Sequence, residues 1–95
     1  MKLVLTQKAK EDLLSIGHYT EKLWGKQQRN TYLKQLDICL KKLIQAPLIG
    51  RPCDYIRPAY RKHSYGKHMI FYIFKEDKLT IIRILHQSMD YNKEL

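Results

Sequence analysis

Three residue types that act together in hydrolase active sites fall within five positions near the end of the chain. In the segment RILHQSMD, residues 83–90, they are His86, Ser88 and Asp90. On an extended chain His86 and Ser88 lie roughly 6.6 Å apart, which is too far for a serine–histidine hydrogen bond unless the chain turns. The segment also lacks the G-x-S-x-G pattern of an exposed nucleophilic serine. We therefore expect a strand-end histidine and a turn or cap aspartate, not a catalytic triad.

The remaining metal-binding side chains do not form a recognisable site. His63 and His68 can pair across a hairpin, but a structural zinc site needs four ligands, and the sequence contains neither C-x-x-C nor H-E-x-x-H. Cys39 falls in a helical pattern that buries it, whereas Cys53 falls in a loop that can expose it. Two cysteines do not make a disulfide framework. We predict reduced thiols, no metal and no cofactor.

The composition favours a partner of negative charge. The 95 residues include 18 Lys and Arg against 9 Asp and Glu, for a net charge of +9, which suits nucleic acid, the ribosome or an acidic protein. No apolar run approaches the roughly 20 residues that span a bilayer. The N-terminal MKLVLTQKAK turns polar too early for a signal peptide. We expect a single cytoplasmic domain over residues 1–95 with no membrane partner.

The hydrophobic pattern must supply the elements that position these residues. Lys2–Leu5 is a short strand, and Thr6 can cap a helix over Gln7–Trp24, whose apolar positions include Ala9, Leu13, Ile16 and Leu23. Gly25 separates this helix from a second one over residues 26–45, which ends before Pro47. After a loop over residues 46–58, strands are predicted at Tyr60–Tyr65, His68–Phe74 and Lys78–His86. The class is α+β: a helical hairpin packed on a small antiparallel sheet.

The register of the last hairpin assigns side chains to the two faces of the sheet. If Lys75 pairs with Lys78, Phe71 faces Ile82 and Met69 faces Ile84, and this apolar face is assigned to the helices. Tyr72, Ile70 and His68 then lie opposite Ile81, Arg83 and Leu85. The second face is expected to be open, and its polar members are Arg61, His63, His68, Tyr72 and Arg83. Such a face can stack and clamp RNA or provide acid–base groups, although half-buried sheet tyrosines and solvated charges are the simpler interpretation.

Taken together, several segments resemble ParE-type toxins of the ParE/RelE superfamily. They are LTQKAKEDLLSIGHYTEKLWG, QRNTYLKQLD, IGRPCDYIRPAYRKHSYGKHMIFYIF and IIRILHQSMD, which cover almost the whole chain. The resemblance implies a helical hairpin on a small sheet and a toxin of a bacterial type II toxin–antitoxin pair. It implies a ParD-like antitoxin that binds the toxin in a hetero-oligomer. It also implies DNA gyrase as the target, blocked by binding without turnover, with possible contact to the DNA that gyrase holds.

Two alternatives stay open. Related toxins cleave mRNA on the ribosome, and a common branch has H-R-L-V-Y where this chain has His68–Tyr72, with Met69 in the arginine position. That branch also ends its last strand with a histidine–tyrosine pair, whereas Gln87 follows His86 here. Both departures weaken endonuclease chemistry without excluding it, and an inactive basic binding module is the third reading. The candidate target-binding residues are Arg61, His63, His68, Tyr72, Arg83, His86 and Asp90, together with the C-terminal segment Met89–Leu95.

Overall fold

The computed structural model describes all 95 residues, and it has the α+β class and the element order that the sequence predicts. Its elements are β1 (Lys2–Leu5), α1 (Gln7–Trp24), α2 (Lys26–Gln45), β2 (Arg51–Pro52), β3 (Arg61–Tyr65), β4 (His68–Lys75), β5 (Lys78–His86) and α3 (Tyr91–Glu94). Two of these, β2 and α3, are short elements that the hydrophobic pattern did not indicate. Both lie in segments that were predicted to be loop or turn.

The helical hairpin forms at the predicted residues, and its ends are fixed by Thr6 and Gly25. The Thr6 hydroxyl accepts a hydrogen bond from the Ala9 amide at 3.0 Å and donates one to the Ile82 carbonyl at 2.7 Å. This N-cap therefore also fastens α1 to β5. Gly25 has a φ of 90°, a positive value that strains other residues, so it allows one residue to separate the helices. No helix of the protein is both long and apolar enough to cross a membrane.

Both helices bury the apolar face that their periodicity predicts, with one exception. The buried helix residues include Ala9, Ile16, Leu36, Cys39, Leu40 and Leu43. Leu23, which the pattern assigned to the buried face of α1, is 52% exposed. Tyr19 and Trp24 at the same end of α1 are also exposed. The C-terminal third of α1 thus presents large apolar side chains to solvent.

The sheet has five strands in the order β1-β5-β4-β3-β2. The hairpins β3–β4 and β4–β5 are antiparallel, as predicted. The N-terminal strand adds a parallel pair, in which Lys2 lies beside Lys78 and Leu5 beside Ile81. This pairing places the start of α1 next to the end of β5. Residues far apart in the sequence therefore meet at that corner of the sheet.

A β-bulge changes the predicted register of the last hairpin. Next to the turn, Lys75 pairs with Lys78 as predicted, but the register shifts between Phe71 and Tyr72. Beyond the shift the pairs are Phe71–Arg83, Ile70–Ile84, Met69–Leu85 and His68–His86, in place of the predicted Phe71–Ile82, Ile70–Arg83, Met69–Ile84 and His68–Leu85. The predicted pairing was wrong beyond the shift because the alternation of side chains along a strand does not reveal where an extra residue is inserted.

Each face of the sheet carries a hydrophobic cluster, so the predicted open face does not exist. Ile70 and Tyr72, which were predicted to lie on the open face, pack under α1 and α2 in the larger cluster. Phe71, which was predicted to face the helices, packs instead with Cys53 and Leu85 on the opposite face of the sheet. This smaller cluster is covered by Ile56, Tyr60, Tyr91 and Leu95. Cys53 is therefore buried, contrary to the exposure that a loop position suggested, whereas Cys39 is buried as predicted.

Candidate functional site

Tyr72 is a structural residue and not part of an exposed site. Its side chain is fully buried, and its hydroxyl accepts a hydrogen bond from the Gly50 amide at 3.0 Å and donates one to the Pro47 carbonyl at 2.6 Å. Burial raises the pKa of Tyr72, and the hydrogen bond from the Gly50 amide opposes that shift. The prediction that Tyr72 contacts a target is corrected, because its hydroxyl instead holds the chain between α2 and β2.

Arg61, like Tyr72, binds the segment that connects α2 to β2. Its Nη1 donates to the Gly50 carbonyl at 2.7 Å, and its guanidinium carbon lies 5.8 Å from the centroid of the Phe74 ring. Arg61 and Tyr72 pair directly across β3 and β4. This pairing agrees with the prediction that Arg61, His63, His68 and Tyr72 lie on one side of the sheet. That side carries the helices, so Arg61 is half-buried and positions residues 47–52 rather than facing solvent.

Arg83 is likewise engaged within the protein. Its guanidinium donates to both carboxylate oxygens of Asp12, at 2.8 and 2.9 Å, and to the Glu94 carbonyl at 2.9 Å. The hydrogen bonds and charge of Asp12 raise the pKa of Arg83 above its ordinary value, against the effect of burial. Arg83 therefore links α1 to the C-terminal helix α3 and is not a free cation at an open face.

His68 and His86 are the predicted residues that the structure brings together. They lie directly opposite one another in β4 and β5, and their rings meet edge to face with centroids 5.5 Å apart. The bulge creates this pair, since the unshifted register would have placed His68 beside Leu85. Two imidazoles with different surroundings at one point of the surface can bind an anion or transfer protons.

Each ring of this pair is oriented through its Nδ1 atom. The Tyr32 hydroxyl lies 2.7 Å from Nδ1 of His68, and the Ser88 amide donates to Nδ1 of His86 at 3.1 Å. The Ser88 hydroxyl is also within 2.7 Å of that nitrogen, because the chain turns after β5 and the Met89 amide bonds back to the His86 carbonyl. An Nδ1 that accepts hydrogen bonds leaves the proton of a neutral imidazole on Nε2.

Burial and the neighbouring His86 lower the pKa of His68, with Asp12 acting in the opposite direction. Burial also raises the pKa of Tyr32, although the Lys67 backbone amide opposes that shift. At neutral pH His68 is therefore neutral and Tyr32 keeps its proton, which it can donate to Nδ1 of His68, 2.7 Å away, or to the Tyr65 carbonyl, 3.4 Å away. The arrangement therefore holds the His68 ring in a fixed orientation in its uncharged form.

The histidine pair lies where two cavities of about 370 and 580 Å³ adjoin. Both cavities are lined by Tyr19, His68 and His86; the first extends to Met89 and the second to Leu23 and Trp24. We call this surface, formed by Tyr19, Leu23, Trp24, His68, His86 and Met89, the histidine groove. Sequence reasoning missed its α1 side. The available signal was three large apolar residues, Tyr19, Leu23 and Trp24, crowded into the last turns of an otherwise polar helix end.

Comparison with known proteins assigns the family. A family model described as the ParE toxin of the type II toxin-antitoxin system, parDE, matches residues 3–91. The chain belongs to the ParE toxin family. It is 39% identical over 93 residues to Toxin ParE1 of Mycobacterium tuberculosis, covering 97% of this chain and 95% of that protein. It is 35% identical over 91 residues to Toxin ParE1 of Caulobacter vibrioides, covering 96% and 94%.

The fold of the family is also found in a solved structure. A chain of the chromosomal ParDE TA system from P. aeruginosa superposes with a TM-score of 0.80, at 24% sequence identity, over 90% of this chain and 95% of the other. The likeness agrees with the helical hairpin and mixed sheet described above. The predicted family and fold are thereby confirmed. The chain is a ParE-family toxin component of a type II toxin–antitoxin system.

This ParE-family chain has a second apolar groove, between its two long helices. A cavity of about 460 Å³ is lined by Lys10, Leu13, Leu14, Leu33, Asp37 and Leu40. Leu14 is 65% exposed, so the groove opens to solvent along α1. We call this surface the α1–α2 groove. It lies on a different side of α1 from Tyr19, because five residues turn a helix by about 140°.

The structure of the C-terminal segment of the ParE-family chain gives His86, Ser88 and Asp90 of RILHQSMD separate roles. The Asp90 carboxylate accepts a hydrogen bond from the Asn92 amide at 3.1 Å and caps α3, as predicted for a cap residue. Ser88 and His86 do form a hydrogen bond because the chain turns, but Asp90 takes no part in it. No group of three or more His, Cys, Asp or Glu side chains converges anywhere in the protein.

Proposed function

We propose that this protein inhibits DNA gyrase by binding to it and is neutralised by a ParD-like antitoxin. The observation that carries the proposal is the match of residues 3–91 to the ParE toxin family. The mechanism is occupation of a surface on gyrase, without turnover of a substrate. Since gyrase acts on the bacterial chromosome, the proposal places the protein in the cytoplasm.

The histidine groove is our candidate for the gyrase contact. Tyr19 and Trp24 are 61% and 69% exposed, and Met89 is 45% exposed. Aromatic residues and methionine are enriched at protein interfaces, and an exposed apolar cluster of this kind marks a binding surface. The oriented rings of His68 and His86 at the centre of the cluster supply the polar contacts that fix the orientation of a bound protein. The following segment, Met89–Leu95, continues the same surface.

The α1–α2 groove is our candidate for the antitoxin contact. Its leucines lie at the spacing that receives the apolar face of an amphipathic helix. Disordered antitoxin segments that fold on binding can supply such a helix. The net charge of +9 favours association with an acidic chain. Because the two grooves are separate, a variant can weaken antitoxin binding without affecting gyrase binding, and the reverse.

The decisive experiment is a plasmid supercoiling assay with purified gyrase, ATP and this protein. We expect less supercoiling and an accumulation of protein-linked DNA breaks with rising toxin concentration, both reversed by the partner antitoxin. A His86→Ala variant should lose the effect, whereas His18→Ala, which removes an exposed histidine of α1 outside the groove, should keep it. Full gyrase activity at saturating protein would overturn the proposal.

The facing pair of His68 and His86 favours a second candidate function, ribosome-dependent cleavage of mRNA. In this reaction the ribose 2′-oxygen attacks the phosphorus as the P–O5′ bond breaks. His68, in the tautomer that leaves Nε2 unprotonated, can accept the 2′-hydroxyl proton, while Nε2–H of His86 donates a proton to the leaving 5′-oxygen. Met69, where an endonuclease branch has arginine, counts against this candidate. Cleavage of mRNA in a translating extract, lost in His68→Ala and in His86→Ala, would establish it. Intact mRNA at growth-arresting concentrations would exclude it.

A further inference from the structure

A cleft between β2 and β3 is lined by positively charged side chains and by no carboxylate. It has a volume of about 400 Å³ and is lined by Ile49, Arg51, Lys62, His63, Ser64 and Met69. Residues 51–63 hold four Arg or Lys side chains against one acid, Asp54, and the Asp54 carboxylate accepts a hydrogen bond from the Ala59 amide at 2.8 Å. We call this surface the β2–β3 cleft. It lies apart from the histidine groove and the α1–α2 groove, with which it shares no lining residue.

Two of its cations oppose each other in the sheet. Arg51 pairs directly with Lys62 across β2 and β3, and like charges at such positions destabilise a sheet. Neither residue forms an ion pair within the protein. The Lys62 ammonium lies 5.5 Å from the centroid of the Tyr55 ring, a cation–π contact that holds it without neutralising it. The local charge is therefore left for an external anion.

The backbone around the cleft is held in place by buried hydrogen bonds. The segment that leads into β2 is fastened by the Tyr72 hydroxyl, which bonds Pro47 and Gly50, and by Arg61, which bonds the Gly50 carbonyl. A side chain at Gly50 would clash with the Tyr72 hydroxyl and lie 2.9 Å from the Lys62 carbonyl. Buried contacts thus set the spacing of Arg51 and Lys62 before any ligand binds, which lowers the entropy lost on binding.

We propose that the β2–β3 cleft binds the phosphate backbone of duplex DNA. Arginine binds phosphate oxygens through two parallel hydrogen bonds, and Lys62 and Ser64, on the same face of the sheet as Arg51, supply further donors. No Phe, Tyr or Trp side chain lines the cleft, so it offers no platform for stacking on an unpaired base. Contacts to the backbone alone make the binding independent of sequence. The choice of DNA rests on the proposed function, since gyrase holds duplex DNA beside any bound toxin.

The test is fluorescence anisotropy of a labelled duplex with the purified protein over a range of salt concentrations. The double variant Arg51→Ala/Lys62→Ala should bind roughly tenfold more weakly, and the slope of log K against log salt should fall by about 2, one for each lost phosphate contact. The matched control is Lys8→Ala/Lys34→Ala, which removes the same charge from exposed positions on the two helices. It should retain the wild-type slope. Equal losses in the two double variants would overturn the proposal, because net charge alone would then explain the binding.

Competing ligands and the proposed function are separated by parallel assays. A labelled RNA duplex that binds at least tenfold more tightly than DNA would overturn the choice of DNA. Loss of antitoxin binding in Arg51→Ala/Lys62→Ala, with DNA binding unchanged, would assign the cleft to an acidic protein and overturn the proposal. Gyrase inhibition by a wild-type protein that binds no DNA would refute this inference alone. Cleft-dependent DNA binding without gyrase inhibition would refute the proposed function alone.

Discussion

The guanidinium of Arg83 clasps the carboxylate of Asp12 through two hydrogen bonds, Nε to Oδ2 at 2.8 Å and Nη2 to Oδ1 at 2.9 Å, although the residues are 71 positions apart. The side chains of the pair are only 15% and 14% exposed. Asp12 Oδ2 also accepts a hydrogen bond from the Ile84 amide at 2.9 Å. The pair therefore fastens α1 to the stretch of β5 where the register shifts.

Breaking this pair should destabilise the fold. Asp12→Ala and Arg83→Ala should each lower the free energy of unfolding by about 3 kcal/mol, because each leaves a largely buried charge without its partner. The double variant should lose less than the sum of the two, as expected for residues in direct contact. Urea unfolding followed by circular dichroism measures all three. Additive losses below about 1 kcal/mol each would show that the pair contributes little.

The same pair changes how Arg83 can be used to probe toxicity. The sequence predicted Arg83 on an open, target-binding face, where reversing its charge would test contact with the target. In the structure it would place a carboxylate against Asp12, so loss of toxicity would follow from loss of folding. The histidine groove is the better place for functional variants, since its rim residues are exposed and can be replaced with little effect on stability.

Removing the Tyr72 hydroxyl should also lower stability. Tyr72→Phe deletes the partner of the Gly50 amide and of the Pro47 carbonyl, at a cost of about 1–3 kcal/mol for a buried donor left unsatisfied. Thermal unfolding measures the change. Tyr55→Phe is the matched control, because Tyr55 is 74% exposed and its hydroxyl has no such role. Equal stability of the two variants would contradict the structural role assigned to Tyr72.

Stability should depend on the protonation of His68. Its pKa is lower in the folded protein than the ordinary value of about 6.5, so the unfolded chain takes up the proton more readily. As the pH falls below about 6.5 toward the folded pKa, the free energy of unfolding should therefore decrease. Urea unfolding between pH 7.5 and about 5 checks the sign. His68→Gln should show a weaker decline over that range, and an identical decline would assign the effect to other groups.

The helices could be predicted from the sequence, but the sheet faces could not. Thr6, Gly25 and Pro47 mark helix ends by local chemistry, and those boundaries match the structure. The face assignment failed because β5 carries adjacent apolar residues, Ile81-Ile82 and Ile84-Leu85, so apolar side chains point to both sides. Such doublets are what a sheet covered on both faces requires. The loop and the C-terminal helix that cover the second face leave no periodic signal.

The candidate site could be predicted in part for a related reason. His68 and His86 were identified as candidates by residue type, but their pairing depends on one inserted residue in β5. Tyr32, which orients His68, lies on α2 and its contact depends on how the hairpin packs across the sheet. Long-range packing of this kind has no signature in local sequence.

Variants in the histidine groove and in the α1–α2 groove should affect different functions, and the two effects can be tested separately. Alanine at Tyr19 or Trp24 should abolish growth arrest and gyrase inhibition while antitoxin binding persists, because these side chains line the histidine groove alone. Leu14→Glu should weaken antitoxin binding at least tenfold by placing a charge in the α1–α2 groove, while growth arrest persists. Tyr55→Ala, an exposed aromatic outside both grooves, should change neither property.

The measurement pairs an inducible growth assay with antitoxin titration of each purified variant. Trp24 is the one tryptophan of the chain, so its fluorescence should change when gyrase binds the wild-type protein and should stay constant when the antitoxin occupies only the α1–α2 groove. If Leu14→Glu loses toxicity and the Tyr19 variant loses antitoxin binding, the assignment of the grooves is reversed. If every variant loses both properties, the antitoxin and gyrase compete for one continuous surface, and neutralisation works by direct occlusion.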